Sequence, residues 1–162
     1  MKTIQSFFEY TEYNDITELD PEDQQLVEES RKQTALAYAP YSDFYVGAAV
    51  LLDNGIIVKG NNQENSAYPS GLCAERLAVF AASAHYPESG MKTIAISARA
   101  KNFVVANPVT PCGACRQVMA EYESKQKNPI RVILSSTSGK ILVIQKVSDL
   151  LPMHFLLDSL KK

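Results

Sequence analysis

The stretch VTPCGACRQVMAEY, residues 109–122, places two cysteines three positions apart at the head of a predicted helix. Residues at i and i+3 lie on one face of a helix, so the sulfurs of Cys112 and Cys115 can share one cation at Zn–S distances of about 2.3 Å. The partial positive charge of a helix N-terminus lowers a cysteine's pKa and favours the thiolate that a metal requires. The motif alone leaves a redox alternative open, because a thioredoxin-like pair has the same spacing.

A second predicted helix head carries the remaining cysteine of the chain. Cys73 opens the stretch CAER, and Glu75 follows it in the first turn. One cysteine from this helix and two from the other give three protein ligands, which leave the fourth tetrahedral position of a zinc ion for water, as in catalytic sites. Neither His85 nor His154 stands at a ligand spacing from a cysteine, so we expect packing or surface roles for both. Three cysteines that only fill apolar gaps are the alternative.

Periodicity and turn signals predict an alternation of helices and strands. Asp20 before Pro21 is typical of an N-cap followed by proline at the first helical position, and Asn54-Gly55 is typical of a type I′ hairpin. The predicted helices are about 21–38, CAERLAVFAASAHY, CGACRQVMAEYESK and short pieces of VSDLLPMHFLLDSL broken at Pro152. The predicted strands are about 44–52, 56–61, KTIAISARA, IRVILSS and KILVIQK, the last two around a TSG turn. These elements predict an α/β fold, a three-layer α/β/α sandwich with a mixed five-stranded sheet.

The length of 162 residues fits one domain, and no repeat or linker divides it. We predict a single domain over residues 20–162, preceded by an N-terminal extension over residues 1–19. The extension contains the aromatic residues Phe7, Phe8, Tyr10 and Tyr13. We favour packing of these rings on the protein's own surface, with a partner-facing arm as the alternative.

Composition and charge exclude several classes of function. With 46% hydrophobic and 21% charged residues the chain is typical of a globular protein, and its net charge of −2 offers no basic surface for a nucleic acid polymer. No apolar run is long enough for a membrane span and no export signal is present, so we expect a cytoplasmic protein without a membrane partner. Three cysteines are an odd number, which argues against a disulfide framework.

Taken together, these motifs resemble the cytidine deaminase family. Residues 39–160 carry FYVGAAV, GNNQENSAYPSGLCAER, PCGACRQV and LLPMHF in the family's order. Zinc deaminases combine a cysteine-bound zinc with a nearby glutamate that is not a ligand and a PCxxC segment. The resemblance implies a small single-domain form that acts as a homotetramer. It also implies deamination of cytidine and deoxycytidine to uridine and deoxyuridine, with release of ammonia, in pyrimidine salvage.

The resemblance assigns the chemistry to five residues. Cys73, Cys112 and Cys115 bind one Zn²⁺ per chain, which lowers the pKa of a bound water to about 7. Glu75 is the proton shuttle between this zinc-bound hydroxide, the pyrimidine ring nitrogen and the departing amino group. Because three thiolates and one Zn²⁺ carry a net charge of −1, a nearby cation is needed, and Arg76 supplies it by donating to the sulfurs.

The resemblance also assigns the binding of the nucleoside. Asn62 and Glu64 present an amide and a carboxylate on one side of an extended segment, a pairing suited to a sugar hydroxyl, and their family counterparts bind the 3′-hydroxyl. Phe44 matches the phenylalanine that stacks near the pyrimidine. Tyr68 and Phe155 match positions that reach into the pocket of a neighbouring subunit, so an oligomer is needed to complete the site.

Several positions depart from the family pattern. Tyr45 stands where the family has proline, Asn61 replaces a cysteine, Leu77 replaces a threonine, and FLLDSL lacks the usual Gly-Pro. Because of these departures, the resemblance alone does not determine the structure of the pocket rim or of the subunit contacts. Deamination of another aminated heterocycle or nucleoside analogue is therefore an alternative, as are a non-catalytic zinc-stabilised binding module and a thiol redox protein. Phosphorylated nucleotides are disfavoured because Glu64 would repel a phosphate.

Overall fold

The computed structural model describes residues 1–136 and 139–156. Within these ranges, three α-helices flank one sheet of six strands. The helices are α1 (Pro21–Thr34), α2 (Ala74–His85) and α3 (Gly113–Gln126). The strands are β1 (Tyr10–Tyr13), β2 (Phe44–Leu52), β3 (Ile57–Asn61), β4 (Met91–Ala100), β5 (Arg131–Ser136) and β6 (Ile141–Ile144). Short 3₁₀ turns lie at Ile16–Glu18, Tyr68–Ser70 and Val147–Leu150.

The sheet has the strand order β1-β6-β5-β4-β2-β3 and is mixed, because β4 and β5 are parallel while the other neighbouring pairs are antiparallel. Alternate side chains of a strand face opposite sides of the sheet. Ala48, Val50 and Leu52 of β2 accordingly pack with α2 and α3, whereas Ala49 and Leu51 pack with α1. The helices therefore cover both faces of the sheet, which confirms the predicted three-layer α/β/α sandwich.

The prediction of five strands was wrong, because the N-terminal extension adds a sixth. β1 pairs antiparallel with β6, with Tyr10 opposite Ile144 and Tyr13 opposite Ile141. A run of four residues, YTEY, is too short to show a period, and the exposed edge of β6 provides its hydrogen-bond partners. Part of the extension thus belongs to the sheet. The division of the chain at residues 19 and 20 stays a prediction.

The β2–β3 hairpin differs from the predicted type I′ turn. That turn needs positive φ at both central residues, but only Gly55 has it, with φ 82°. Gly55 N donates to Leu52 O at 3.0 Å, and Leu52 N donates to Ile56 O at 2.9 Å, which encloses a loop of three residues. Asn54 uses its side-chain Oδ1 to accept from Ile56 N at 3.0 Å. The loop is one residue longer than predicted because Asp53 belongs to it.

The start of α1 agrees with its predicted signals. The Asp20 carboxylate accepts from Asp23 N at 3.0 Å, and Pro21 is the first helical residue. The helix ends at Thr34, before the predicted residue 38. Residues 137–138 of the predicted TSG turn and residues 157–160 of the predicted closing helical pieces lie outside the described residues. Among the described helices, none has the length and apolar character needed to cross a membrane.

A glycine fixes how closely α2 approaches the sheet. A Cβ on Gly60 of β3 would lie 2.6 Å from both the Ala74 carbonyl oxygen and Ala78 N, closer than Cβ atoms approach other heavy atoms. Only glycine therefore allows the first turn of α2 to lie against β3. This contact places the N-terminus of α2, and with it the stretch CAER, next to the sheet.

Candidate active site

Two helix N-termini present the cysteines. Cys73 directly precedes α2 and Cys112 directly precedes α3, and both have extended backbone conformations. Neither side chain makes the capping hydrogen bond that is usual at this position, so both sulfurs remain available as ligands. Cys115 follows one turn into α3 and is buried. The positive ends of two helices therefore face the same group of thiols.

The three sulfurs lie within 4.8 Å of one another, and Cys112 Sγ is 3.4 Å from Cys115 Sγ. Sulfurs bound at about 2.3 Å around a tetrahedral ion are about 3.8 Å apart, so the observed spacing fits zinc. They form a cluster of three possible metal ligands in the described part of the chain. With no fourth side chain in this cluster, the arrangement resembles an open catalytic site more than a closed structural one.

Arg76 lies beside this cluster. Its Nη2 donates to Cys73 Sγ at 3.6 Å, and its buried Nε has no hydrogen-bond partner among the described residues. A hydrogen bond from the Cys115 thiol, together with the Arg76 guanidinium, lowers the pKa of Cys73 to about 5 against the opposing effect of burial. The hydrogen bond with Cys73 raises the pKa of Arg76 in turn. The cluster thus places the Arg76 cation beside the sulfur of Cys73, where it favours the thiolate form.

Glu75 is the second residue of α2, and its side chain is almost fully buried, with a relative exposure of 5%. Burial raises the pKa of its carboxyl above the ordinary value, and negative charge on Cys73 adds to this effect. Few glutamates are buried without a partner of opposite charge, because removing a carboxylate from water is unfavourable. A carboxyl in this position, next to three thiols, can exchange protons with a small molecule held there.

Cys73, Glu75 and Cys112 line a cavity of about 290 Å³, the active-site cavity. Its polar lining includes Asn62, Glu64, Cys73, Glu75 and Cys112, and its apolar walls include Phe44, Val46, Ile96 and Val109. An adjoining cavity of about 470 Å³ shares Asn62, Glu64 and Cys73 and adds Tyr68 and Arg76. An apolar enclosure with a few polar groups is the usual form of a small-molecule site.

Asn62 and Glu64 both hold the backbone at the cavity wall. Asn62 accepts from Val46 N at 2.7 Å and donates to Phe44 O at 2.9 Å, which leaves one amide hydrogen without a partner among the described residues and available to a ligand. Glu64 accepts from Tyr41 N at 2.8 Å and from Ser42 through both its N–H and its hydroxyl. Although burial opposes them, these hydrogen bonds hold the pKa of Glu64 below its ordinary value.

The aromatic residues predicted for the site lie in different places. Phe44 lines the active-site cavity, and Tyr68, with 76% exposure, packs edge-on against Tyr41 at the adjoining one. Phe155 lines neither cavity, and its backbone exchanges two hydrogen bonds with the Gln117 side chain. The structure therefore brings Phe44, Asn62, Glu64, Cys73, Glu75 and Cys112 together around one cavity, and it leaves Phe155 apart from them.

The sequence analysis did not identify Arg116 and Ser42, which support the site. Arg116 donates from Nε to Pro111 O and from Nη1 to Leu150 O, both at 2.8 Å, and so fixes the loop that carries Cys112. Ser42 links Glu64 to Phe44 N. Arg116 lies inside the quoted PCGACRQV motif, but its partners are backbone carbonyls, and the sequence carries no signal for such partners.

Comparison with known proteins agrees with this geometry. The family model of the cytidine and deoxycytidylate deaminase zinc-binding region matches residues 20–128, which include the three cysteines and Glu75. The chain belongs to this family. The predicted family resemblance is thereby confirmed, and zinc is the metal of the family's matched region. Strand β1 precedes the matched region, and Phe155 follows it.

Relatives in the deaminase family cover most of the chain. A cytidine deaminase of Halalkalibacterium halodurans is 42% identical over 132 residues, 82% of this chain and 92% of that protein. A cytidine deaminase of Sporosarcina psychrophila is 48% identical over 99 residues, 61% of this chain and 68% of that protein. The crystal structure of cytidine deaminase from Burkholderia pseudomallei superposes with a TM-score of 0.70 at 39% identity, covering 81% of this chain and 97% of that one. The Burkholderia pseudomallei deaminase therefore shares the fold of this chain.

Proposed function

We propose that this protein is a zinc-dependent hydrolase that converts cytidine and deoxycytidine to uridine and deoxyuridine with release of ammonia. The observation that carries the proposal is the cluster of three thiol sulfurs next to a cavity that the buried Glu75 lines together with Phe44 and Asn62. The similarity to proteins named cytidine deaminase, at 42% and 48% identity, supports the same substrate.

Glu75 moves the protons of the reaction. Cys73, Cys112 and Cys115 would hold a zinc ion, which would supply a nucleophilic water at neutral pH by lowering the pKa of that water to about 7. Glu75 would take one proton of the attacking water and pass it to the pyrimidine ring nitrogen, and it would then carry the second proton of that water to the amino group as the carbon–nitrogen bond breaks. One water is consumed, and one ammonia leaves. Burial of Glu75 supports this role, since it excludes bulk water from the proton's route.

Arg76 offsets negative charge at the metal. Three thiolates around a divalent cation carry a net charge of −1, which opposes deprotonation of a water nearby. The guanidinium contact with Cys73 Sγ at 3.6 Å withdraws charge from that sulfur. Arg76 is therefore a positioning and charge-balancing residue rather than one that touches the substrate.

Asn62 and Glu64 bind the sugar of the nucleoside. Asn62 keeps one free amide hydrogen, and Glu64 keeps unused acceptor capacity after its contacts with Tyr41 and Ser42. Both side chains are held rigidly by backbone contacts, so little conformational entropy is lost when a hydroxyl binds to them. We assign the 3′-hydroxyl to this pair and the pyrimidine ring to Phe44.

Glu64→Gln tests the sugar assignment with a matched change in the substrate. We expect the wild-type protein to lose about 10- to 100-fold in kcat/KM when cytidine is replaced by 3′-deoxycytidine, because a hydrogen bond to a charged group contributes about 1.5–3 kcal/mol. In Glu64→Gln that difference should shrink to about threefold. Glu88→Gln, an exposed glutamate elsewhere on the surface, serves as the control. An equal loss on both substrates would mean that Glu64 only supports residues 41–42.

Two exposed rings bear on the assembly of the protein. We propose a homotetramer in which Tyr68 and Phe155 complete the pockets of neighbouring subunits, and a cytoplasmic role in pyrimidine salvage. The high exposure of these two rings, 76% and 63%, supports a contact with another chain. The molecular mass in solution tests the assembly.

A metal analysis combined with a turnover assay tests the function. We expect about one zinc per chain and a fall in ultraviolet absorbance when cytidine is supplied. Zinc without turnover on any nucleoside would favour the binding module. Turnover of another aminated heterocycle but not of cytidine would favour the alternative substrate, and neither zinc nor turnover would favour thiol redox chemistry.

A further inference from the structure

The segment that follows β4 folds back onto the first residues of β2. Lys101 N donates to Asp43 O at 3.0 Å, and Lys101 Nζ lies 3.6 Å from Asp43 Oδ1. Asn102 Nδ2 donates to Asp43 Oδ2 at 3.4 Å. Asp43 itself adopts a left-handed backbone conformation, with φ 53°, which non-glycine residues seldom take without support. Residues 101–102 thus hold Asp43, the residue directly before Phe44.

Phe103 continues this contact with its ring. The rings of Phe103 and Phe44 are stacked, with centroids 6.4 Å apart and an interplanar angle of 20°. Phe44 lines the active-site cavity together with Glu75, whereas Phe103 is not part of the cavity lining. Phe103 therefore supports the wall of the cavity from outside it.

Phe103 is not held in place by burial in the hydrophobic core. Phe103 is 63% exposed and its neighbour Val104 is 79% exposed, while only the next residue, Val105, is buried. A ring with so much exposed surface contributes little to the hydrophobic stability of the fold. Within the described residues, the Phe103 ring makes an aromatic contact with Phe44.

We propose that Phe103 is a positioning residue that holds the Phe44 ring against the bound pyrimidine and thereby sets the affinity for the nucleoside. This inference rests on the proposed function. Without the stack, the Phe44 ring gains rotational freedom that must be lost again when the base binds. The Phe44 ring loses this rotational freedom in the ground state and in the transition state alike, because it contacts the base in both. The effect should therefore fall on KM and leave kcat nearly unchanged.

Phe103→Ala tests the proposal in the zinc-loaded, full-length protein. We expect KM for cytidine to rise about three- to tenfold, with kcat within about twofold of wild type. The dissociation constant of uridine, measured by calorimetry, should rise by the same factor. Phe103→Tyr keeps a flat ring and should restore both values, whereas Phe103→Leu keeps apolar volume without a ring and should not. Val104→Ala is the control, because Val104 is adjacent in the chain and is also exposed.

Three results would overturn the proposal: unchanged KM and uridine affinity in Phe103→Ala, a fall in kcat at unchanged KM, or a change in molecular mass that places the ring in a subunit contact. The proposed function fails by a different observation, namely a wild-type protein with zinc that does not deaminate cytidine. In that case the uridine affinities of the four variants still decide whether Phe103 positions Phe44.

Discussion

Glu75→Gln is expected to retain its zinc and to lose more than about 10²- to 10⁴-fold in kcat with cytidine. One general acid–base step contributes about that range, and we assign several proton transfers to this single carboxyl. Glutamine has nearly the same shape but cannot accept and return a proton. The measurement is steady-state turnover by ultraviolet absorbance, with zinc content determined on the same preparation.

Glu121→Gln is the matched control for this substitution, because it makes the same chemical change at an exposed position of α3. It should keep the wild-type rate. The thermal midpoint of Glu75→Gln should not fall, since the substitution replaces a buried ionisable group by a neutral one. A near-normal rate in Glu75→Gln would contradict the shuttle role, and a loss of zinc would point instead to a role in the metal site.

The sequence predicted the parts of the site that depend on local geometry. Cys112 and Cys115 lie on one helical face because of their spacing, and Cys73, like Cys112, directly precedes a helix. Helix starts carry strong signals, such as the proline after Asp20 in α1. The starts of the helices were therefore predictable from the sequence. The family model matches residues 20–128, the region that contains these helix starts.

Features that depend on distant partners were not predictable in the same way. β1 is a strand because β6 presents an edge more than a hundred residues later, and YTEY alone does not reveal it. Phe103 stacks on Phe44 across a separation of nearly sixty residues, and no periodic pattern marks it. Arg116 bonds to carbonyl groups, which every residue has. In each case the long-range fold, rather than the local sequence, selects the contact.

Cys115→Ser is expected to abolish zinc binding and, with it, the deaminase activity. The substitution nearly preserves the shape of a buried side chain, but the serine hydroxyl does not ionise near neutral pH and is a poor ligand for zinc. Only the sulfurs of Cys73 and Cys112 then remain. Zinc per chain should fall from about one to below about 0.2 after dialysis. Turnover should fall in proportion to the zinc content.

The thermal midpoint gives a readout of the metal site that does not depend on turnover. A ligand at a thousand times its Kd stabilises the native state by about 4 kcal/mol, and each kcal/mol shifts the midpoint of a domain of this size by about 2–4 °C. A chelator should therefore lower the wild-type midpoint by about 8–16 °C and leave Cys115→Ser unchanged. Ala114→Ser places a hydroxyl at the exposed adjacent position of α3 and should behave like wild type. If Cys115→Ser kept one zinc per chain and a chelator-sensitive midpoint, zinc binding would not require Cys115. The two remaining thiols and water would then hold the metal, and the assignment of Cys115 as a ligand would fail.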